Sequence, residues 1–361
     1  MRARAVVGAN YGDCGKGALV DHLCATEGAG VVVRHGSGSQ AGHTVVTPDG
    51  RRHVFSHFGS GSFIGVPTYL SQFFICNPIC FFRELKEVVA LGMRPVVYVH
   101  PTCLVTTYAD MIINQRMEDK RGDRRHGSCG VGFAETIERD KIAPKLTITM
   151  ADLWNGANLQ GKLEQICDKY AQFRGVGKID EPNMLKHFQV ACKQFADIVS
   201  PLGIQQCKDP MFEGAQGLLL DQNNRAMFPH LTRSNTGIRN VRELCKQAGI
   251  DKIDAYYVSR TYLTRHGAGP LPGEDPGLRF DDNTNLPHPY QGALRFAPLD
   301  WGAMLRRCYK DFGGDDFKVA LTHCDQLEEP ASLPRGAKAA ADLRSYGPTR
   351  NDFSPVVRAA A

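Results

Sequence analysis

The residues best suited to chemistry stand early in the chain, in the glycine-rich stretch GANYGDCGKG at residues 8–17. A phosphate-binding loop reads G-x-x-x-x-G-K-[ST], in which backbone N–H groups and the lysine hold phosphates. Gly15 and Lys16 keep the Gly-Lys pair, but Gly17 replaces the hydroxyl residue and Asp13 lies inside the loop. Phosphates repel a carboxylate by about 1 kcal/mol even in water. Asp13 is therefore interpreted as a Mg²⁺ ligand, as a general base, or simply as a helix cap.

A second loop supplies a histidine that could act together with Asp13. The stretch GSGSQAGHT, residues 36–44, follows a predicted strand and places His43 between Gly42 and Thr44. A histidine in such a loop suits the role of an acid or an electrophile, although a lone histidine is more often structural. Two such residues on two strand-end loops indicate a catalytic pair.

Two later stretches carry groups that suit nucleotide recognition. FEGAQGLLLDQ, residues 212–222, holds Gln216, whose amide can donate to and accept from a nucleobase. PHLTRSNTG, residues 229–237, groups Thr232 with a guanidinium, a second hydroxyl and an amide. That composition is typical of an anion site, and equally of a helix cap.

Two more stretches have both a binding and a plain structural interpretation. HGSCGVGFAETIERD, residues 126–140, offers Ser128 and Arg139 to a phosphate, or forms an ordinary junction between a loop and a helix. THCD, residues 322–325, follows a predicted strand directly. Asp325 could accept hydrogen bonds from N1–H and the 2-amino group of a guanine, or could face solvent.

Short β-rich runs alternate with helical patterns along the chain. Strands are predicted at Arg4–Gly8, Val31–Val33, Pro95–His100, Ala255–Val258 and Phe317–Thr322, and a helix at Gly17–Thr26. This alternation is typical of α/β proteins, whose ligands lie at the carboxyl ends of parallel strands. The sequence predicts one large α/β domain over residues 1–361, with a mostly parallel central sheet and a P-loop-like strand–loop–helix unit. Two long loops, Arg121–Phe133 and Gly267–Pro298, are predicted to be functional.

The overall composition narrows the class of protein. With 42% hydrophobic residues, 22% charged residues and a net charge of +5, the chain has the composition of an ordinary globular protein. We expect neither a signal peptide nor a membrane span, because no long apolar run is present. The twelve scattered cysteines are expected to be reduced thiols in a cytoplasm. A pI near 8.5 argues against direct nucleic-acid binding.

Together, these motifs resemble those of adenylosuccinate synthetase. The matching pieces follow the family's order over nearly the whole chain: G-D-x-G-K-G (Gly12–Gly17), A-G-H-T (Ala41–Thr44), G-V-G (Gly130–Gly132), E-G-A-Q-G (Glu213–Gly217), S-N-T (Ser234–Thr236), T-R-x-G-A-G-P (Thr264–Pro270) and S-x-G-P (Ser345–Pro348). As a set they are highly specific, although each alone is weak. The resemblance implies a C–N bond-forming ligase that is a homodimer and works in the cytoplasm, or in a host's cytoplasm if a phage encodes it.

The resemblance also implies a mechanism. Asp13 would take the proton from N1 of a 6-oxopurine, and O6 would then attack the γ-phosphate of a nucleoside triphosphate. Lys16 and His43 would stabilise the charge that develops in this transfer. The amino group of L-aspartate would finally displace phosphate at C6. Asp13 and the carbonyl of Gly42 would hold Mg²⁺.

The remaining implied contacts fall into three groups. The triphosphate, either GTP or ATP/dATP, would lie against Gly12, Gly15, Lys16, Gly17, Gly42, Thr44, Asp325, Ser345, Gly347 and Pro348. The purine nucleotide would lie against Ser128, Arg139, Gln216, Thr232 and His266, with the arginine reaching across the dimer interface. L-Aspartate would lie near Gly292 and Arg295.

This sequence departs from the family pattern where the sugar and the aspartate are recognised. In the family loop T-T-G-R-x-R-R, the first arginine falls on Gly292 and the second on Leu294, so only Arg295 remains. A site built to hydrogen-bond a hydroxyl rejects a substrate without one, and loss of that arginine therefore predicts acceptance of a 2′-deoxynucleotide. The chain is most similar to short phage-type relatives that convert dGMP into N6-succino-2-amino-2′-deoxyadenylate, a precursor of 2-aminoadenine in DNA.

Other interpretations stay open. Many phage-type relatives replace the loop aspartate by serine, so Asp13 argues toward IMP as substrate, as in adenylosuccinate synthetase itself. The family's T-K-x-D has become T-H-C-D at residues 322–325, which leaves GTP or ATP/dATP as the donor. A catalytically dead nucleotide-binding regulator is a further alternative, and retention of Asp13, Lys16 and His43 argues against it.

Overall fold

The structure is a computed structural model that describes residues 2–122, 126–156, 158–287, 292–327 and 341–356. Within these ranges the strands are β1 (Arg2–Gly8), β2 (Val31–Arg34), β3 (His43–Val46), β4 (Arg52–Phe55), β5 (Thr68–Leu70), β6 (Ile75–Cys76), β7 (Val97–Val99), β8 (Leu104–Val105), β9 (Ser200–Pro201), β10 (Pro210–Glu213), β11 (Lys252–Arg260), β12 (Tyr262–His266), β13 (Leu294–Pro298), β14 (Lys318–Thr322), β15 (Leu343–Ser345) and β16 (Phe353–Pro355). The α-helices are α1 (Lys16–Glu27), α2 (Pro78–Ala90), α3 (Tyr108–Arg121), α4 (Phe133–Ile142), α5 (Met150–Trp154), α6 (Leu159–Gln165), α7 (Ala171–Phe173), α8 (Pro182–Ile198), α9 (Arg239–Ala248) and α10 (Trp301–Phe312).

Ten of the strands form one central sheet, in the order β16-β15-β14-β11-β1-β10-β2-β5-β7-β9. Every neighbouring pair is parallel except β15 with β16. β1 lies inside the sheet between β10 and β11, and all its residues after Arg2 are buried. A strand covered on both faces needs no alternation of polar and apolar residues, which explains its continuous run of small and branched apolar side chains.

Helices pack against both faces of β1. Ala3, Ala5 and Val7 belong to the buried cluster that α9 and α10 help to form, whereas Val6 belongs to the cluster of α1. Successive residues of a strand point to opposite faces, so these two clusters lie on opposite sides of the sheet. A third buried cluster joins α2, α3 and α8 beyond β5 and β7.

The predicted fold class is confirmed: the chain forms an α/β domain around a mostly parallel sheet. The predicted strands correspond to β1, β2, β7, β11 and β14, and the predicted helix to α1. The second predicted long loop is too long at its end, because β13 pairs there with β12. Residues 123–125 of the first loop and 288–291 of the second lie outside the described residues.

Two further predictions concern the state of the cysteines and membrane spans. All twelve cysteines lie within the described ranges, and none forms a disulfide. Across those same ranges, no helix has both the length and the apolar character that a membrane crossing requires.

Candidate active site

The carboxyl ends of β14, β11, β1, β10 and β2 lie side by side at one edge of the sheet, where α/β proteins bind ligands. The phosphate loop, residues 8–17, contacts the loop after β10: a Cβ atom on Gly8 would lie 2.2 Å from the carbonyl oxygen of Gln216. A Cβ on Gly17 would lie 2.8 Å from the carbonyl oxygen of Thr44. Only glycine permits such close approach of two backbones. The loops that carry Asp13, His43 and Gln216 therefore form one site.

The phosphate loop presents Asp13 and Lys16 to this site. Asp13 is half-buried and has a left-handed backbone conformation, with φ of 49°. Gly15 precedes α1, and no side chain caps the helix N-terminus, so the interpretation of Asp13 as a helix cap is wrong. The first N–H groups of α1 are thus available to an anion. The Lys16 side chain is buried, with its Nζ 3.6 Å from Cys14 Sγ.

His43 and Glu213 form a buried pair beside this loop. The Nδ1 atom of His43 lies 2.5 Å from Glu213 Oε1, and Ser60 donates to the same carboxylate through its backbone N–H and its hydroxyl. Burial alone would raise the pKa of Glu213, but His43 and Arg34 outweigh burial and lower it to about 2. The carboxylate is therefore ionised and can only accept, so His43 donates through Nδ1 and Nε2 carries the lone pair.

Arg34 lies behind this pair and sets its charge. Its guanidinium is fully buried, 3.9 Å from Glu213 Oε2, and donates to the carbonyl oxygen of Phe58. Burial, with Arg34 nearby, lowers the pKa of His43 to about 4 in spite of Glu213. His43 is consequently neutral at pH 7, and the ion pair behind it is formed by Arg34 and Glu213.

Several buried polar atoms of the site have no hydrogen-bond partner within the described part of the chain, among them Nε2 of His43, Oε1 of Gln216, and Nε and Nη2 of Arg34. A buried polar atom without a partner costs about 1–3 kcal/mol, and such atoms in native structures call for an explanation. Gln216 also has a left-handed backbone, with φ of 57°. An acceptor and a titratable nitrogen left unpaired on neighbouring loops are suited to a ligand that supplies polar groups.

The end of β14 joins the phosphate loop to the predicted donor-base residues. The Thr322 hydroxyl donates to the carbonyl oxygen of Cys14 at 3.1 Å. Asp325 follows three residues later and is exposed. β15 pairs with β14, so the Ser345 motif lies beside this turn, and the Ser345 hydroxyl donates to the Gly347 carbonyl oxygen at 2.7 Å. Asp325 and Ser345 thus lie on neighbouring segments, one just after β14 and the other at the end of β15.

Ser128 and Thr232 are both predicted to contact the phosphate of the purine nucleotide, and the structure gives them different surroundings. Ser128 is half-buried, and its hydroxyl donates to Asn114 Oδ1 at 2.8 Å. Thr232 lies close to the His43 loop, because the neighbouring Ser234 hydroxyl accepts from the backbone N–H of Ser37 at 3.1 Å. The structure therefore places Thr232 near the site, whereas the Ser128 hydroxyl is engaged by Asn114.

The prediction that Arg139 binds a phosphate is contradicted by the structure. Its side chain is 1% exposed and makes a double ion pair with Asp110, with both N···O distances 2.8 Å. Its other donors reach the carbonyl oxygens of Leu146 and Val105. A buried guanidinium with every nitrogen engaged inside its own chain holds α3 and α4 together, and cannot reach a ligand or a partner subunit.

The residues that the structure describes leave space around Gly292. Gly292 has φ of 75°, and a Cβ there would meet no described atom within 4 Å. His266 donates from Nε2 to the Gly292 carbonyl oxygen at 3.0 Å. Arg295 is already engaged, by Glu274 at 2.6 Å and by the carbonyl oxygens of Gly267 and Gly269. The structure therefore brings His266 and Gly292 together, and Arg295 reaches a ligand only by exchanging these contacts.

The oxygen donors present suit Mg²⁺ shared with a triphosphate. Mg²⁺ is usually held by one or two carboxylates together with substrate phosphates. Asp13 offers a half-buried carboxylate, and Gly42 is exposed on the loop of His43. Among the described residues no cluster of three or more His, Cys, Asp or Glu side chains forms a closed metal site. The residues fit an ion that arrives with phosphates.

The sequence-based site omitted Glu213 and Arg34, which the structure places at its centre. Glu213 stood inside a quoted motif, and an acid at the end of the buried strand PMFE was the available signal. Arg34 ends the apolar strand β2 in the same way. A charged residue ending an otherwise apolar buried strand is seldom left without a charged partner.

Comparisons with known proteins agree with this geometry. Residues 5–313 match the family Adenylosuccinate synthetase. The chain is 32% identical over 286 residues to adenylosuccinate synthetase of Pseudomonas fluorescens (strain SBW25), covering 74% of this chain and 64% of that protein. It is 31% identical over 301 residues to that of Acinetobacter baylyi, covering 78% of this chain and 65% of that protein. The chain thus spans a little under two thirds of the length of these relatives.

Two solved structures share the fold. Fully ligated adenylosuccinate synthetase from Plasmodium falciparum superposes with a TM-score of 0.77 at 18% identity, covering 97% of this chain and 99% of that chain. Cyanophage S-2L succinoaminodeoxyadenylate synthetase, bound to dGMP and dATP, superposes with a TM-score of 0.67 at 18% identity, covering 98% and 95%. From the family match and the sequence relatives together, the chain belongs to the adenylosuccinate synthetase family.

Proposed function

We propose that this chain is a ligase that joins the amino nitrogen of L-aspartate to C6 of a purine nucleotide, at the expense of a nucleoside triphosphate. The observation that carries the proposal is the pair of unpartnered buried atoms, His43 Nε2 and Gln216 Oε1, beside a phosphate loop that contains a carboxylate. A plain phosphate-binding loop needs neither feature. The carboxylate can take a proton from the purine, a protonated His43 can donate from Nε2 to the oxygen that becomes charged, and Oε1 of Gln216 can accept from a purine N–H.

The first step needs a base and a place for negative charge. Asp13 takes the proton from N1 of the 6-oxopurine, and the electron pair moves to O6, which attacks the γ-phosphorus as the diphosphate leaves. Lys16 and the N-terminus of α1 face the phosphates. A polyanion beside His43 favours its imidazolium form, which then donates from Nε2 to the transferring group while Nδ1 remains held by Glu213.

The second step forms the C–N bond. The amino nitrogen of L-aspartate attacks C6, the C6–O bond breaks, and phosphate leaves with the pair of electrons. The amino group loses a proton as the purine regains its aromatic ring. Mg²⁺, when held by Asp13, the Gly42 carbonyl and the phosphates, supplies charge neutralisation. The Gln216 amide, with its Oε1 unpartnered, contacts the purine near the reacting oxygen.

Among purine nucleotides, we propose dGMP as the substrate, which gives N6-succino-2-amino-2′-deoxyadenylate for 2-aminoadenine DNA. The support is Gly292, where the family's arginine is absent and described atoms leave at least 4 Å of space. A site without that donor loses nothing when the 2′-hydroxyl is missing. A structural neighbour was solved with dGMP and dATP bound, so GTP, ATP and dATP are all donors to test.

The alternative is IMP, and two observations favour it. Asp13 is retained, and the sequence relatives at 31–32% identity are named adenylosuccinate synthetases. Both substrates use the same reacting atoms and differ in one sugar hydroxyl and one 2-amino group. As in the family, the proposed enzyme is a homodimer, although Arg139 is buried in its own chain and does not complete a neighbour's site.

The test is aspartate-dependent phosphate release by the purified chain with Mg²⁺, a triphosphate and a purine nucleotide. Mass spectrometry of the product should show addition of aspartate with loss of water, for dGMP or for IMP. No release with any combination would exclude the ligase and leave the nucleotide-binding regulator. Release that does not depend on L-aspartate would also exclude the ligase and would indicate a nucleoside triphosphatase.

A further inference from the structure

Arg260, at the carboxyl end of β11, contacts three separate parts of the structure with three nitrogen atoms. Its side chain is 4% exposed. Nε donates to the backbone carbonyl oxygen of Asp13 at 2.5 Å, Nη1 donates to the Tyr262 hydroxyl at 3.0 Å, and Nη2 pairs with Asp282 Oδ2 at 2.7 Å. The guanidinium is rigid and planar, so it fixes these three contacts relative to one another.

The contact with Asp13 is made to a residue whose conformation needs support. Asp13 has φ of 49°, and a left-handed conformation costs a non-glycine residue on the order of 1 kcal/mol or more, so the surroundings must hold it. Arg260 donates to the backbone carbonyl oxygen of Asp13, and the Thr322 hydroxyl donates to the backbone carbonyl oxygen of Cys14. The peptide that orients the Asp13 side chain is therefore tied to the ends of two central strands.

Asp282 holds Arg260 from the other side. It lies on the strap, which we define as residues 278–286, and its carboxylate also accepts from the backbone N–H groups of Thr284 and Asn285. Phe280 of the strap stacks on Tyr262, with ring centroids 3.6 Å apart. Burial alone would raise the pKa of Asp282, but Arg260 and these donors lower it well below its usual range. The strap thus presents a fixed negative charge to Arg260.

We propose that Arg260 is a positioning residue, which, with Asp282 of the strap, holds the peptide of Asp13 so that its carboxylate faces the purine. The inference rests on the proposed function, because it assigns Arg260 to the geometry of the base in that reaction. Arg260 itself lies behind the loop and touches the backbone of Asp13, so it acts through Asp13. A misplacement of about 1 Å at a reacting group costs on the order of 100-fold in rate.

The three contacts allow the planar arrangement of the Arg260 nitrogens to be tested separately from the positive charge of the side chain. Lysine at position 260 would restore a positive charge opposite Asp282, but a single ammonium on a flexible stem does not fix three partners in one plane. We therefore expect Arg260→Lys to recover thermal stability and to leave kcat low. A role limited to the ion pair would let lysine restore both.

The experiment compares wild type with Arg260→Met, Arg260→Lys and the double variant Arg260→Met/Asp282→Asn, which removes both members of the buried pair. Arg116→Met is the matched control, because the Arg116 guanidinium also donates to backbone carbonyls, those of Val176 and Lys178, but far along the chain from the site. Each protein is assayed for kcat and KM with the substrates that wild type uses best. Hydrogen–deuterium exchange is measured on peptides that cover residues 8–17.

We expect kcat to fall roughly 10- to 100-fold in all three Arg260 variants, with KM for the purine nucleotide within about twofold. Exchange in residues 8–17 should become at least about fivefold faster, and Arg116→Met should change neither quantity. Unchanged exchange in Arg260→Met, or full recovery of kcat by lysine, would overturn the proposal. If wild type shows no turnover, the proposed function fails, and the exchange result still decides whether Arg260 holds the Asp13 peptide.

Discussion

Around His43 the described residues bury each charged group beside a group of opposite charge, whereas around Gly292 the described residues leave open space. Glu213, Arg34 and His43 are each at most 4% exposed, and two of them form one short hydrogen bond of 2.5 Å. Gly292 has no described neighbour within 4 Å of a Cβ position, and Arg295, which remains from the family's loop arginines, is engaged by Glu274.

The difference indicates which part of the reaction is constrained. Stabilising a transferring phosphoryl group requires preorganised donors in a site from which water is excluded. Recognition of a sugar hydroxyl is a separate function, and it can be removed by deleting one side chain. Under the proposed function the chain keeps the first and lacks the family's residue for the second, so substitutions on the two sides should have different consequences.

The largest effect is expected at the base. Asp13→Asn keeps the size of the side chain but cannot take a proton, so kcat should fall at least about 1,000-fold while the purine nucleotide still binds. Turnover is followed by phosphate release, and binding by calorimetry with the nucleotide alone. Activity within tenfold of wild type would remove Asp13 from the role of base.

The enclosed side is tested next by Glu213→Gln. The neutral amide is a weaker acceptor than the carboxylate for the N–H at Nδ1 of His43, and the charge of Arg34 loses its partner. We therefore expect kcat to fall about 100-fold and the free energy of unfolding to fall by roughly 3–5 kcal/mol. Urea unfolding and steady-state kinetics measure the two losses. Glu84→Gln is the matched control, since Glu84 is a buried carboxylate that accepts from the backbone N–H groups of Ser56 and His57. It should lose stability and keep its kcat, and an equal loss of kcat would mean that general destabilisation explains both.

The open side is tested by Gly292→Arg. Restoring a guanidinium should raise the IMP-to-dGMP ratio of kcat/KM about tenfold. Because Gly292 has φ of 75°, any side chain there costs on the order of 1 kcal/mol. Gly292→Ala carries the same backbone strain without a guanidinium and should leave the ratio unchanged. If the two variants give the same ratio, the sugar is recognised elsewhere.

The smallest effect on turnover is expected from His35, which stands beside Arg34. Burial and Arg34 lower the pKa of His35 to about 4. Between pH 6.5 and pH 4 the unfolded chain binds this proton and the folded chain does not, so the free energy of unfolding falls as the pH falls, by on the order of 3 kcal/mol in all.

His35→Phe removes that proton and should flatten the loss of stability between pH 7 and pH 5, with kcat at pH 7.5 within about twofold of wild type. His43 and His323, whose pKa values are also lowered, to about 4 and about 3, should supply part of the acid sensitivity that remains. Thermal unfolding across this pH range measures the slope. An unchanged slope would show that the His35 imidazole is not kept neutral by its burial.

The sequence alone was sufficient for the strand-end loops, because their signals are local. Glycines next to Asp13, His43 and Gln216 mark backbone that must approach closely, and the apolar runs before them mark buried parallel strands. A parallel sheet then brings the ends of those strands together without further information.

The errors and omissions concern partners that are distant in sequence. Glu213 and His43 are 170 residues apart, and Arg260 lies 247 residues from Asp13. The sequence around Arg139 is typical of a phosphate contact, but its side chain pairs with Asp110 where α3 and α4 pack together. No local pattern shows whether a charged side chain faces the site or another helix.

In the proposed enzyme the reacting groups of the family are kept while recognition of the sugar is relaxed. This combination is tested most directly by competition: equal concentrations of dGMP and IMP in one reaction with L-aspartate, Mg²⁺ and a triphosphate, with the two succinylated products separated and quantified. We expect N6-succino-2-amino-2′-deoxyadenylate to predominate. Formation of adenylosuccinate alone would contradict the account and show that the open space at Gly292 does not determine the substrate.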